Sequence, residues 1–365
     1  MNKIKVGVLG ATGMVGQRYV KLLENHPWFE VTYVAASPRS AGKLYKEAVE
    51  NRWLIGADIP ATTAELMVED ANLPEKAIGK CQFVFSALEL PKKDDIKALE
   101  AAYAAEGIPV VSNASANRWT EDVPMLVPEI NFSHLDVIKD QKKHNGWDKG
   151  FIAVKPNCSL QTYMMPIHAL IQAGYPIKRM IVTTLQATSG AGYPGVPSFD
   201  MIDNIVPFIG GEEEKTEKEC LKILGTVKDG KIVNAAGPIV SSTCTRVPVV
   251  DGHTACVSLE FDLPEDKKPS LEEIERVWTS YTSLPQELKL PSAPEHPIVV
   301  RHEENRPQPR RDRETEKGMA CVIGRLRPCN VFDVKFVALS HNTKRGAALG
   351  GILNAELLKA KGFFD

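Results

Sequence analysis

The chain has 365 residues, more than one hydrophobic core readily organises, so two domains sharing a crevice are expected. Its 43% hydrophobic and 25% charged residues exclude a disordered or fibrous chain. Lys plus Arg (44) nearly balance Asp plus Glu (46), and the net charge of −2 gives no electrostatic footprint for nucleic acid or an anionic membrane, so small molecules are the expected partners.

The opening MNKIKVGVLGATG runs directly into a strand and turn, with no signal-peptide core, and no later stretch reaches the length of a membrane span. The seven cysteines are scattered singly from Cys81 to Cys329, without CxxC spacing or the density of a disulfide scaffold. A cytoplasmic protein that needs no metal is expected.

In chain order, IKVGVLG, EVTYVAAS, QFVFSAL and IPVVSN are short, Val-rich and almost continuously apolar, as parallel strands buried on both faces must be. MVGQRYVKLLENH and DDIKALEAAYAAEG between them have helical spacing. The alternation predicts an α/β fold with a doubly wound sheet.

Between the first strand and first helix, Gly10, Gly13 and Gly16 stand at G-x-x-G-x-x-G spacing, with Thr12, Met14 and Val15 interleaved. A dinucleotide pyrophosphate needs this arrangement: a tight turn, bare backbone, and helix N–H groups aimed at the anion. The first half is therefore read as a Rossmann-like domain. Its second strand ends in SPRSAGK, where an acid would hold the 2′-hydroxyl of NAD. Ser37, Arg39, Ser40 and Lys43 stand there instead, and hydroxyls and cations suit the 2′-phosphate of NADP(H).

From about residue 157 the β-runs lengthen: IKRMIVTTLQATSG, HTACVSLEFDL, MACVIGRLRP and VFDVKFVALS. They predict an α+β domain with a mixed or antiparallel sheet covered on one face. SLEEIERVWTSY opens on a capping box of Ser270 and Glu273. RHEENRPQPRRDRETEKG mixes signs and reads as a solvated or subunit-contact loop. The final segment has apolar residues at Leu349, Ile352, Leu353 and Leu357, a helical spacing, with glycines at its front.

In KPNCSLQ, Asn157 reads as the N-cap of a helix that places Cys158 in its first turn, where the helix dipole favours a thiolate. Position alone leaves two readings open, a nucleophile or an inert buried sulfur.

The motifs GATGMVG, SNASANRW, PNCS, LQATSGAGYPG, GGEEEK, CTRVPVVDGH and HNTKRGAALGG, in that order, resemble aspartate-semialdehyde dehydrogenase, in the branch found in archaea and fungi. The resemblance runs essentially end to end. It implies that Cys158 is the nucleophile, that Gln186 orients the reacting group, and that His253 is an acid/base, a task suited to a pKa near neutrality. It further implies that Arg246 clamps the substrate α-carboxylate, Glu212 holds the α-ammonium, and Arg118, Asn157 and Lys215 receive phosphate. Ser189, Gly190, Gly192, Asn342 and Thr343 become neighbours of the nicotinamide. Residues 1–156 with 343–365 would form the NADP-binding domain, and 157–342 the catalytic and dimerisation domain of a homodimer or homotetramer.

The implied reaction is reduction of L-4-aspartyl phosphate by NADPH to L-aspartate 4-semialdehyde and phosphate, a step feeding lysine, threonine and methionine synthesis. One rival on the same scaffold is archaeal malonyl-CoA reductase, but Asn157 beside the cysteine and acids at Glu212 and Glu213 favour an aspartyl substrate. Another is a dinucleotide-sensing regulator, which has no use for Arg118, Arg246, Lys215 and His253 together.

Overall fold

A computed structural model of the chain describes residues 3 to 364; residues 1, 2 and 365, at the outer limits of the expected domains, lie outside the described residues. Strands β1 (Ile4–Leu9), β2 (Phe29–Ala36), β3 (Val68–Asp70), β4 (Phe83–Ser86), β5 (Val110–Ser112) and β6 (Ile152–Val154) form a wholly parallel sheet in the order β3-β2-β1-β4-β5-β6. The strand order reverses between β1 and β4, and the crevice beyond their carboxyl ends is where such sheets bind ligands. All of β4 and the last four residues of β1 are buried, as a sheet covered on both faces requires. Among the covering helices are α1 (Met14–Leu22), entered from the glycine turn, and α2 (Lys93–Ala105), which carries Asp94 and Asp95 in its first turn, where the dipole favours acids.

The second half builds another six-stranded sheet from β7 (Ile177–Gln186), β10 (Ile239–Arg246), β11 (His253–Phe261), β12 (Ile298–Arg301), β13 (Cys321–Pro328) and β14 (Val334–Ser340); β8 (Thr226–Lys228) and β9 (Lys231–Val233) pair separately. Its order is β10-β7-β11-β14-β13-β12. The three inner pairings are antiparallel and the two outer ones parallel, so the sheet is mixed, as expected. Helix α3 (Met164–Gln172) leads into it, α4 (Glu212–Ile223) packs on β10, and α5 (Leu271–Thr279) packs on β12 and β13. The Ser270 hydroxyl caps α5 by accepting the Glu273 N–H at 3.2 Å. The expected box is only half made, because the Glu273 carboxylate accepts from Arg276 and Tyr175 instead. On the sheet's other face Ile181, Ile239 and Cys256 are exposed.

Helix α6 (Leu349–Ala360) packs against α1 and β5 and shares one apolar cluster with Val6, Val8, Phe83 and Phe85. It is buried all round, including Asn354 and Glu356, rather than along one stripe. A Cβ at Gly351 would lie 2.0 Å from the Tyr19 hydroxyl, so the close approach of α6 to α1 requires glycine there. The mixed-charge loop is not simply solvated: Asp312 is fully buried and accepts from Arg301 and Arg306, and Arg313 donates to the Asp251 carbonyl. Opposite charges at short spacing pair inward here. Among the described residues, no helix is long and apolar enough to cross a membrane.

Candidate active site

Register brings the candidate residues to one end of the second sheet. Arg246 and Gln186 are partners at the ends of β10 and β7, and His253, at the start of β11, pairs with Ser340 at the end of β14. The chain leaving β6 meets this edge and carries Lys155, Asn157 and Cys158.

Cys158 is not in the first turn of a helix. The Asn157 carboxamide oxygen accepts the Ser159 N–H at 2.8 Å and the Ser159 hydroxyl at 2.7 Å, so it closes a local turn. A 3₁₀ turn over Leu160–Thr162 follows, and α3 begins only at Met164. Pro166 sets this limit, because in a continuous helix its ring would strike the Thr162 carbonyl. That carbonyl instead accepts the Cys321 thiol at 2.6 Å. Charge at Cys158 is therefore governed by side chains rather than by a helix terminus.

The His253 Nε2 lies 3.3 Å from the Cys158 sulfur, and His253 Nδ1 accepts the Ala187 N–H at 3.0 Å. Burial, helped by Arg246, lowers His253 to about 3, so the neutral ring presents an Nε2 proton to the sulfur. The expectation of a pKa near neutrality does not hold for this buried ring. Burial and the Glu212 carboxylate raise the Cys158 thiol, while Lys155, Arg118 and Arg246 pull the other way. Arg246 donates to the Ala187 carbonyl at 2.8 Å. Gly190 lies over both side chains: a Cβ there would stand 2.9 Å from Arg246 Nη1 and 3.1 Å from His253 Cε1.

Helix α4 turns two carboxylates inward. Glu212 accepts from Asn157 Nδ2 at 2.9 Å, Gln186 Nε2 at 3.2 Å and Lys215 Nζ at 2.8 Å. Burial alone would raise this carboxyl, but the Lys215 charge and these hydrogen bonds bring it below its usual value. Glu219, two helical turns on, accepts the Asn157 backbone N–H at 2.7 Å and Arg118 Nη1 at 3.0 Å. Glu213 instead accepts the Cys244 N–H.

A cavity of about 390 Å³ is walled by Arg118, Asn157, Cys158, Gln186, Glu212 and Arg246 together with Ser189, Gly190, Gly192, Asn342 and Thr343. His253 and Lys215 are not among its walls; they reach it through Cys158 and Glu212. Met14, Val15, Glu89 and Gly192 also line a groove that runs past Gly10, Thr12 and Gly13 to Ser37 and Arg39. A dinucleotide fits this groove. Gly13 caps α1 without a side-chain bond, an added Cβ there meets nothing closer than 3.4 Å, and Met14 and Val15 of the first helical turn, whose N–H groups have no intrahelical acceptor, line the groove.

Gly16 and Ser40 are placed differently from expectation. A Cβ at Gly16 would lie 2.2 Å from the Gly10 carbonyl, so this glycine packs helix on strand and does not wall the groove. Ser40 is buried and donates its N–H to the Ser37 carbonyl, which shapes the turn from behind. Lys43 also lies outside the groove's lining. Cys256 sits on the exposed sheet face, and Cys244 is buried against Thr216.

Residues 5–138 match the family model of the semialdehyde dehydrogenase NAD binding domain, and residues 167–345 match that of the semialdehyde dehydrogenase dimerisation domain. A protein of Methanothermobacter thermautotrophicus named aspartate-semialdehyde dehydrogenase is 47% identical over 97% of this chain and 99% of its own. The chain belongs to the aspartate-semialdehyde dehydrogenase family. A Saccharomyces cerevisiae member is 42% identical over 97% of each chain. The crystal structure of aspartate semialdehyde dehydrogenase with NADP from Candida albicans superposes with a TM-score of 0.89 at 41% identity, covering 99% of this chain and 100% of that one.

Lys155, Glu219, Asn113, Arg18 and Gly346 also stand at the site and escaped the sequence reading. For Glu219 a signal existed: seven residues after Glu212, it falls on the same helical face. For Lys155 the signal was a charge at the end of an apolar strand, directly before PNC.

Proposed function

We propose that this member of the family reduces L-4-aspartyl phosphate with NADPH to L-aspartate 4-semialdehyde and phosphate through a Cys158 thioester. The observation that carries the reading is the Cys158–His253 contact, inside a cavity walled by Arg118, Arg246 and Glu212 and continuous with the dinucleotide groove.

Arg246 meets the substrate α-carboxylate with its planar fork, and Glu212 meets the α-ammonium. Arg118, with Asn157 and Lys215 nearby, receives the phosphate. The Cys158 sulfur attacks the acyl carbon; the carbon–sulfur bond forms as the carbon–oxygen bond to phosphate breaks, and the thiol proton leaves on the phosphate. Gln186 orients the carbonyl, and the His253 Nε2–H donates to the sulfur and then to the carbonyl oxygen as it becomes anionic. The nicotinamide, when bound, supplies the hydride to the thioester carbon. The resulting oxyanion re-forms its carbonyl and releases Cys158 as a thiolate, which takes up one proton from solvent to restore the starting thiol. His253 thus acts by donating hydrogen bonds, which its tautomer allows.

Several further assignments belong to the same proposal. Residues 1–156 with 343–365 form the cofactor domain, supported by the core that α6 shares with β1 and β4, and 157–342 form the catalytic and dimerisation domain. The chain works as a homodimer or a dimer of dimers, paired through the sheet face that exposes Ile181 and Ile239. It acts in the cytosol, in keeping with seven free cysteines. The decisive assay is NADPH formation from L-aspartate 4-semialdehyde, NADP and phosphate. Turnover supports the proposal; a preference for malonyl-CoA, or no turnover of any acyl phosphate or thioester, overturns it.

A further inference from the structure

Lys155 extends β6 by one residue and is 1% exposed. Its N–H continues the sheet ladder to the Ser112 carbonyl at 2.9 Å. Its ammonium donates to the Pro156 carbonyl at 2.6 Å and, across the site, to the Gly346 carbonyl. Both acceptors are neutral, and among the described residues no carboxylate is hydrogen-bonded to this buried charge. An apolar side chain of the same length would fill the space without that desolvation cost.

Its surroundings suggest what the charge is for. Lys155 and Cys158 line the same cavity. Gly346 lies against the cysteine: an added Cβ would stand 2.8 Å from the Cys158 Cβ. Gly346 and Ala347 continue from Asn342 and Thr343 on the cavity wall assigned to the nicotinamide. Burial lowers the ammonium to about 7, with Arg118 acting the same way and Cys158 and Glu219 opposing. In return, Lys155 is first among the three cations that favour ionisation of Cys158.

We propose that Lys155 is a positioning residue for the reaction: its ammonium ties the carbonyl ahead of the Asn157–Cys158 turn to the Gly346 carbonyl, holding the cysteine against the cofactor-lining backbone, and its charge supports the Cys158 thiolate. The inference rests on Cys158 as the nucleophile.

Lys155→Met keeps the stem and removes the charge, and Lys155→Gln keeps a donor without the charge. Alkylation by iodoacetamide, followed on the Cys158 peptide as a function of pH, reads the thiolate directly. At pH 6, where the ammonium keeps its proton, alkylation should be about tenfold slower in Lys155→Met, as for loss of a nearby opposite charge. The kcat should fall by roughly tenfold or more while KM for aspartate semialdehyde and Kd for NADP stay within about threefold, a split that a purely structural role does not produce. Lys155→Gln should show the same slowing of alkylation with a smaller loss of kcat. A folded Lys155→Met with the wild-type alkylation rate at pH 6 and the wild-type kcat overturns the proposal. So does loss of the native melting transition in both variants, which would assign the ammonium to the core. Cys158→Ala separates the two levels: activity in that variant removes the reading of the site, whereas an inert Cys158→Ala beside an unaffected Lys155→Met removes only the role given to Lys155.

Discussion

His253 holds its Nε2 3.3 Å from the Cys158 sulfur while its Nδ1 accepts the Ala187 N–H at 3.0 Å, and the second bond determines the first. A backbone N–H can only donate, so Nδ1 must be unprotonated and the ring proton sits on Nε2, facing the sulfur.

Replacing Cys158 by Ala is expected to abolish turnover with NADP affinity intact, and Ser should rescue almost nothing, because its hydroxyl is scarcely ionised at neutral pH. His253→Asn should lower kcat by about two to three orders of magnitude, the usual worth of one positioned donor to a developing oxyanion. Because His253 is neutral down to about 3, the kcat/KM profile should lack a His253 limb in the ordinary imidazole range near ~6.5. A limb there that vanishes in His253→Asn would contradict the locked tautomer. More than trace activity in Cys158→Ala would remove the thioester.

The glycine turn and the doubly wound first sheet were legible because each rests on local chemistry: a dinucleotide needs bare backbone, and a doubly covered strand needs unbroken apolar runs. The start of α3 was misread although Pro166 was in plain view, since Asn157 offers its side-chain oxygen to a nearby N–H in a helix cap and in a local turn alike. Glu356 was illegible for another reason, and Glu219 showed no more than the helical face it shares with Glu212. Each reads as a solvated helix residue, and only contacts across 62 residues to Asn157 and 330 residues to His26 show why it is buried. Short strands such as β3 and β6, three residues each, carry too little periodicity to be seen alone.

The two carboxylates of α4 should separate in their effects. Glu212→Gln puts an amide donor among the donors of Asn157, Gln186 and Lys215, so kcat/KM for aspartate semialdehyde should fall by roughly ten- to a hundredfold, the worth of one or two charge-assisted bonds. Substrates lacking the amino group should be affected much less. Glu219→Gln leaves the buried Arg118 without its partner, and thermal or denaturant unfolding should show a loss of about 3 kcal/mol or more. An unfolding free energy unchanged in Glu219→Gln would mean that Arg118 finds another acceptor.

His168 supplies a prediction independent of catalysis. It lies in α3 with its ring edge-on to Tyr281, and its Nδ1 has no hydrogen-bond partner among the described residues. Burial lowers it to about 4. Between that value and the unfolded imidazole near ~6.5, the unfolded chain binds a proton that the folded chain refuses, so stability falls as pH drops through this window. His168→Phe removes the refusal. Denaturant titrations at pH 7 and pH 5 should show the variant losing on the order of 1–2 kcal/mol less than wild type on acidification, at about 1.4 kcal/mol per pKa unit. Parallel losses in the two proteins would show that His168 becomes protonated in the fold.

Cofactor choice turns on Arg39. It lines the outer end of the groove beside Ser37, both are exposed, and no acid stands at the end of β2 to hold a free 2′-hydroxyl. If the guanidinium pairs with the 2′-phosphate, it makes a charge-assisted contact that NAD cannot offer, and such bonds contribute on the order of 1.5–3 kcal/mol. Exposure places this contact toward the low end, because solvent screens it. Arg39→Ala should therefore weaken NADP by about tenfold and leave NAD almost unchanged, at ~1.4 kcal/mol per decade. The loss should shrink as salt is raised, since a screened charge pair is what is being removed. Titration of both cofactors on both proteins, at low and high salt, decides the matter. Equal losses for NADP and NAD would reduce Arg39 to a shaper of the loop, and a wild-type preference for NAD would place the 2′-recognition elsewhere in the groove.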